Sequence, residues 1–244
     1  PPMRAFTLLA ALPLMACTAV TSDNAEKPGF TGSGSGNSRA YQVADFTKVA
    51  LMGADDIDVR IGNGFSVRAE GDPEVLDYLT IEKDGDTLKV GRRNRPGFSW
   101  GDRDAKVFVT MPQIASGAVL GAGDLSIDRA EGPAFAANIA GAGNIDVAQL
   151  KVDNAELTIA GAGDIETAGT ARSVTARIAG TGDIDGEKLA ASGADVSIAG
   201  AGSIRIAVDG AAKVSILGTG DVNLGSKARC TVSKKGPGSV TCGN

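Results

Sequence analysis

The sequence predicts an all-β protein whose main part is a parallel β-helix, a solenoid with about 18–20 residues per coil. The first supporting observation is a repeated phrase, Gly-x-Gly followed by a short polar residue and an aliphatic residue. Its first glycines are Gly121, Gly141, Gly161, Gly180, Gly200, Gly218 and Gly236, which lie 20, 20, 19, 20, 18 and 18 residues apart. A fixed period near 20 indicates stacked repeats that bury their apolar faces only against their neighbours.

The second observation is that apolar and polar residues alternate on both sides of each glycine pair, which indicates strands. The position two residues before the first glycine holds Val119, Ile139, Ile159, Ile178, Ile198 and Ile216. The position four residues after it holds Leu125, Ile145, Ile165, Ile184, Ile204, Val222 and Val240. Each repeat is therefore predicted to be a strand, a Gly-x-Gly corner and a second strand.

The third observation is that competing repeat folds do not fit. Each glycine would cost a helix about 1 kcal/mol relative to alanine, and the helical i, i+3, i+4 apolar spacing is missing. Leucine-rich repeats have a similar period, but their Leu-rich consensus is absent. In a parallel β-helix, equivalent residues stack about 4.8 Å apart, and we expect a narrow core because only 4% of residues are aromatic.

The regular recurrence of the corner along the chain predicts a role for each of its positions. We expect the glycines either to adopt φ > 0 or to let neighbouring coils approach closely. The following column consists of short polar side chains that we expect to bond to their own backbone in turns. Its members are Asp124, Asn144, Asp164, Asp183, Ser203, Asp221 and Ser239.

The first part of the chain has the features of an export signal. Taking Met3 as the start, Arg4 is followed by an apolar run that ends at Ala16-Cys17, and we expect residues 1–16 to be a signal peptide. The sequence before Cys17 resembles the lipobox of bacterial lipoproteins, which implies a lipid on Cys17; the alternative is ordinary secretion. Residues 17–40 are expected to be a disordered, flexible linker, and residues 41–244 a single β-helix domain.

The section from Tyr41 to Ala118 is strand-like but irregular. The stretch Gly53–Ile57 is predicted to be a degenerate copy of the repeat. A short helix is predicted from Asp72 to Leu79, with Asp72 as N-cap and Pro73 at its first position. A hairpin is expected over Thr80–Val90, and the strands resume at Val107.

The opening phrase, the Gly-x-Gly-Asp-Ile array and the ending Cys230–Gly243 together resemble the head GIN domain family, over roughly residues 41–243. The resemblance implies a β-helix fold, export or lipid anchoring in bacteria, and an adhesin-like role. It brings no catalytic residues to carry over to this chain.

The remaining two cysteines suit an oxidising compartment. Cys230 and Cys242 lie six residues before and after Gly236, on the inward-facing parity of the last coil. We expect a disulfide that closes this end of the solenoid, worth about 2–3 kcal/mol. Two small buried thiols are the alternative.

The composition excludes several kinds of chemistry. There is no histidine, so histidine bases, Ser-His triads and histidine metal ligands are excluded. Two alternatives remain: an Asp164–Asp183 pair, about 5 Å apart, acting on polysaccharide, and Ca²⁺ binding along the aspartate column. We expect neither, and so no catalytic residue, metal or cofactor.

A loop over residues 91–106 is the candidate recognition surface. It combines Arg92, Arg93 and Arg95 with Trp100, the only tryptophan, on an otherwise acidic chain. A simple solvated loop is the alternative. The sequence thus predicts a non-enzymatic envelope protein, a lipoprotein of the outer membrane on its periplasmic or outer side. Its expected partners are the membrane and a glycan or envelope protein, with homo-oligomers possible and nucleic acid excluded by a pI near 4.9.

Overall fold

The computed structural model describes residues 29–93 and 104–243, and it has the predicted parallel β-helix. Seventeen strands and one helix make up this part of the chain. In chain order they are β1 (Ser38–Tyr41), β2 (Lys48–Leu51), β3 (Asp56–Ile61), β4 (Ser66–Gly71), α1 (Pro73–Tyr78), β5 (Leu79–Asp84), β6 (Thr87–Arg92), β7 (Ala105–Met111), β8 (Ser116–Val119), β9 (Leu125–Ile127), β10 (Ala130–Ile139), β11 (Ile145–Ile159), β12 (Ile165–Gly180), β13 (Ile184–Gly200), β14 (Ser203–Gly218), β15 (Asp221–Asn223), β16 (Arg229–Lys235) and β17 (Val240–Thr241).

Equivalent residues of successive coils stack in register. Ile139 pairs with Ile159 in parallel, Ile159 with Ile178, and the column continues through Ile198 to Ile216. These side chains are at most 2% exposed. Branched aliphatic residues suit this position because they pack well on a pleated surface. The predicted core columns are confirmed.

The irregular N-terminal section contains the first coil and a cap beneath it. Strands β2 and β3 form that coil, and they pair in parallel with β8 and β9 of the next one. The corner at Gly53 also stacks under Gly121, since the N–H of Ala122 donates to the Gly53 carbonyl at 3.0 Å. The prediction of a degenerate repeat is therefore confirmed, with residues 62–114 inserted between the two coils.

The inserted residues cover the other edge of the first coil. Strand β6 pairs with β2, and β7 pairs with β3, so neither strand of the first coil is an open edge. The predicted hairpin is present as antiparallel β5 and β6. The predicted helix is α1, and the Asp72 side chain accepts a hydrogen bond from the Glu74 N–H at 2.8 Å.

The predicted disorder of the linker is wrong from residue 29 onward. The N–H of Phe30 donates to the Ile81 carbonyl at 2.7 Å, and β1 pairs antiparallel with β4. The Arg39 guanidinium also binds the Asp77 carboxylate at 2.8 Å. Low apolar content did not prevent order here, because the backbone groups of this segment complete an existing sheet.

The corner glycines are required by the close approach of neighbouring coils. The N–H of Ala162 donates to the Gly141 carbonyl at 3.0 Å, and a Cβ added at Gly161 would overlap that same oxygen. Later in the column the glycines also have positive φ, for example 152° at Gly180. Both expected reasons for glycine apply, but the close approach is common to the column from Gly121 onward.

The C-terminal coil is closed by the expected disulfide. Cys230 and Cys242 are bonded, with their Cα atoms 6.3 Å apart, and both pack against the core. Within the residues described, no helix has the length and hydropathy that a membrane crossing requires.

Candidate functional site

The short polar residue after each corner forms a ladder from coil to coil. The Asp124 carboxylate accepts the Asn144 N–H at 3.1 Å, and the Asn144 side-chain oxygen accepts the Asp164 N–H at 3.0 Å. The Asp164 carboxylate in turn accepts the Asp183 N–H at 2.8 Å, and the Asp183 carboxylate accepts the Ser203 N–H at 2.6 Å. We call this column of residues the polar ladder.

The ladder corrects the expectation that these side chains bond to their own turns. Each acceptor instead binds the equivalent backbone N–H one coil further on, where two coils lie close together. Asp, or the isosteric Asn, suits this position because its short side chain places an acceptor oxygen within hydrogen-bond distance of the N–H in the next coil. The column is thus part of what holds the coils in register.

At the end of the polar ladder, hydrogen bonds lower the pKa of one of its carboxyl groups. The Ser239 hydroxyl and the Ser239 N–H both donate to the Asp221 carboxylate, which holds the pKa of Asp221 below its ordinary value. A carboxylate with a lowered pKa in the folded state stabilises the protein above its unfolded pKa. This contribution is lost as the pH falls through the folded pKa.

Replacing Asp164 by alanine is expected to lower the free energy of unfolding by about 1 kcal/mol, because the Asp183 N–H loses its acceptor. Asp164→Asn keeps an oxygen in the same place, as Asn144 does naturally, and should change stability much less. Urea unfolding followed by circular dichroism measures both variants. Equal losses in the two would mean that the charge, and not the acceptor, matters.

The same geometry bears on the carboxylate pair considered from sequence. Asp164 and Asp183 lie next to each other in the ladder, where Asp164 is exposed and Asp183 is half-buried. Each carboxylate is also bound to a backbone N–H. The structure therefore gives these two residues a role in joining coils.

The calcium alternative depends on several acidic groups converging on one point. No cluster of three or more Asp, Glu, Cys or His residues with that arrangement occurs among residues 29–93 and 104–243. The ladder spaces its oxygens one coil apart and uses them for N–H groups. Nothing in this geometry favours a cation over the scaffold role.

Arg92, predicted as part of the recognition loop, is placed in the interior instead. Its guanidinium makes a two-pronged ion pair with Asp55, one arm at 2.8 Å, and its side chain is only 10% exposed. Asp55 is fully buried and also accepts the Ala105 N–H at 2.9 Å. Arg92 therefore joins the first coil to the cap and is largely withdrawn from the surface.

Asp55 stands where later coils have the second corner glycine. In those coils a side chain would overlap the coil beneath, as at Gly143, whose Cβ would meet the Gly123 carbonyl. The first coil has the cap below it instead, so the carboxylate of Asp55 reaches down to Arg92. Sequence reasoning missed this residue, although an aspartate in a glycine column was a visible signal.

Arg93 lies at the surface beside helix α1. Its guanidinium donates to the Asp77 carbonyl at 2.6 Å and lies 5.7 Å from the centre of the Tyr78 ring. It borders a hollow of about 350 Å³, lined also by Phe30, Arg39 and Tyr41. Burial raises the pKa of Tyr41. The sequence could not predict this hollow, because Phe30 and Arg39 were assigned to the linker.

Several predicted sites lie outside the described residues. These are the signal peptide, Cys17 and the early linker, and the loop residues Arg95 and Trp100. The predictions made for them stay predictions. The structure thus brings Arg92 and Arg93 to the N-terminal end of the solenoid, and Cys230 and Cys242 to the other end.

Comparisons with known proteins agree with this architecture. A family model described as "Putative auto-transporter adhesin, head GIN domain" matches residues 45–228. No curated protein matches the sequence. A crystal structure of a putative adhesin from Bacteroides fragilis is similar, with 20% identity, a TM-score of 0.76 and coverage of 88% of this chain and 100% of that one.

Two further crystal structures are similar in the same way. A putative lipid binding protein from Parabacteroides distasonis has 22% identity and a TM-score of 0.69, over 86% of this chain and 98% of that one. A putative adhesin from Parabacteroides merdae has 20% identity and a TM-score of 0.62, over 86% and 97%. At these identities the likeness concerns the fold.

Proposed function

Because the chain belongs to the head GIN domain family, whose model spans residues 45–228, we propose that it is a non-enzymatic, adhesin-like protein of the bacterial cell envelope. The observation that carries this proposal is the use of the aspartate column. Residues that could have formed a catalytic pair or a metal site bind backbone N–H groups between coils. The use of these residues in the scaffold favours a binding role over a catalytic one.

Attachment to the envelope is assigned to a lipid on Cys17. The support is the apolar run ending at Ala16-Cys17, together with a Cys230–Cys242 disulfide that suits an exported protein. The intact mass of the mature protein tests this assignment. A mature chain that starts at another residue, or that lacks a diacylglycerol, would contradict it.

We propose that the partner is a glycan or a protein of a cell envelope. The proposed binding surface is the N-terminal end of the solenoid. Arg93 is exposed there, at the start of the segment that carries Arg95 and Trp100. Arginine and tryptophan are enriched at binding hot spots. The likeness to a protein named as lipid binding makes lipid a further class of ligand to test.

An experiment with extracted envelope polysaccharide separates an adhesin from an enzyme. The purified full chain is expected to retain the polymer on a column without shortening it, and Arg93→Ala with Arg95→Ala should reduce retention about tenfold. Arg172→Ala with Arg177→Ala, on the side of the solenoid, removes the same charge and is the matched control. New reducing ends that disappear in Asp164→Asn would show an enzyme and overturn the proposal.

A further inference from the structure

The last coil differs in charge from the rest of the solenoid. The chain has a formal net charge of −5, yet no Asp or Glu follows Asp221. The same stretch contains Lys227, Arg229, Lys234 and Lys235. Positive charge is therefore concentrated at one end of an acidic protein.

This coil is also the last one among the described residues. Strand β16 pairs with β14, β17 pairs with β15, and no described strand lies beyond either of them. Val232 is 47% exposed, whereas Val214, its partner in register, is 2% exposed. The interior of the solenoid thus reaches the surface here.

Lys234 occupies the position that isoleucine holds in earlier coils. It pairs in register with Ile216, and its Nζ donates to the Gly238 carbonyl at 2.6 Å. An inward-facing lysine on an edge strand prevents another coil or strand from stacking there. The end of the core is therefore marked by a charge and by the nearby disulfide.

Two of the four basic groups are available to a partner. Arg229 and Lys235 are exposed, and no carboxylate within the described residues forms an ion pair with either of them. Lys227 binds Asp209 at 3.3 Å, but both side chains are about 70% exposed, so water screens this pair. Leu217, which is 61% exposed, pairs in register with Lys235.

We propose that this end surface, formed by Lys227, Arg229, Val232, Lys234 and Lys235 and here called the basic tip, docks on the surface of an anionic lipid bilayer. Each basic residue near an anionic membrane strengthens binding about fivefold at moderate salt. Val232 and the neighbouring Leu217 supply apolar side chains among the charges, a combination that suits the boundary between headgroups and acyl chains.

Charge and topology disfavour a second copy of the chain as the occupant. Two basic tips would face each other with like charges, and the opposite end of the solenoid is covered by β6 and β7. The proposal does not depend on the adhesin-like function, because the basic tip and the Arg93 surface lie at opposite ends of the solenoid.

Sedimentation with lipid vesicles tests the proposal. The full chain carries Cys17→Ser in every arm, so that a lipid anchor cannot contribute. Binding is expected to vesicles of phosphatidylcholine with phosphatidylglycerol, to be weak with phosphatidylcholine alone, and to weaken as salt shortens the Debye length. Arg229→Gln with Lys235→Gln should lower the partition coefficient about thirtyfold at low salt.

The matched control is Lys151→Gln with Lys188→Gln, which makes the same change in net charge on exposed residues in the middle of the solenoid. It should change partitioning less than twofold. Equal losses in the two double variants, or equal binding to neutral vesicles, would overturn the proposal. The proposal would also be overturned if Arg229→Gln with Lys235→Gln abolished binding to a soluble anionic polysaccharide but left binding to the vesicles unchanged. An unchanged melting temperature shows that each variant is folded.

Discussion

Gly161→Ala is expected to lower the free energy of unfolding by at least about 3 kcal/mol, near the upper limit for an overpacked site. The added Cβ would overlap the carbonyl oxygen of Gly141. That oxygen cannot move away without cost, because it accepts the Ala162 N–H at 3.0 Å. Gly161 is not among the glycines with positive φ. The expected loss of stability therefore comes from steric overlap between two coils and not from backbone strain at Gly161.

Gly53→Ala is the matched control, since Gly53 begins the same column with no coil beneath it. A Cβ there has nothing nearer than the Asp55 carboxylate oxygen, at 3.9 Å. Thermal unfolding should show a fall of roughly 6–12 °C for Gly161→Ala, for a chain of this size, and little change for Gly53→Ala. Similar melting temperatures for the two variants would contradict the stacking distance on which the whole architecture depends.

Asp55→Ala is expected to destabilise the protein by about 3–5 kcal/mol, as removal of one partner from a buried ion pair does. The fully buried carboxylate binds both the Arg92 guanidinium and the Ala105 N–H. Its loss removes the two-pronged partner of a guanidinium that is only 10% exposed, while the Asp104 carboxylate lies farther away, at 3.8 Å. The cap should then separate from the first coil more readily than any two coils separate from each other.

A double-mutant cycle isolates this interaction. Arg92→Met should also be destabilising, and adding it to Asp55→Ala should restore part of the loss, because a buried charge is then no longer present. Asp153→Ala is the control, since it removes an exposed ion pair with Arg172 at 2.8 Å and should cost less than about 1 kcal/mol. Losses that simply add in the double variant would show that Asp55 and Arg92 act independently.

Much of the architecture could be read from periodicity. The columns through Ile139, Ile159 and Ile178 follow from spacing alone, because one residue per coil must face the same narrow core. Even the distant copy at Gly53 was recognisable. The short helix after Asp72 and the hairpin after it were equally local, since an N-cap, a proline and a turn specify them without help from the rest of the chain.

The hydrogen-bond partners of polar side chains were harder to predict from the sequence. The aspartates of the polar ladder are of a type that often bonds to its own turn, and only the coil spacing shows that Asp164 binds the N–H of Asp183 instead. The sequence predicted a surface position for Arg92, because three arginines and a tryptophan lie close together in this part of the chain. Its burial depends on Asp55, which lies 37 residues earlier.

By itself, the sequence determined the repeat, the inward-facing residues and the cysteine pair, because each of these depends on order along the chain. Only the tertiary structure decided that residues from Phe30 onward belong to the folded unit, that Asp55 anchors the cap, and that Lys234 ends an isoleucine column at a basic tip. These outcomes depend on what lies above or below a given coil. A spacing of 18–20 residues recurs from Gly121 to Gly236, so it says little about the first and last coils, where Asp55 replaces a corner glycine and Lys234 replaces a column isoleucine.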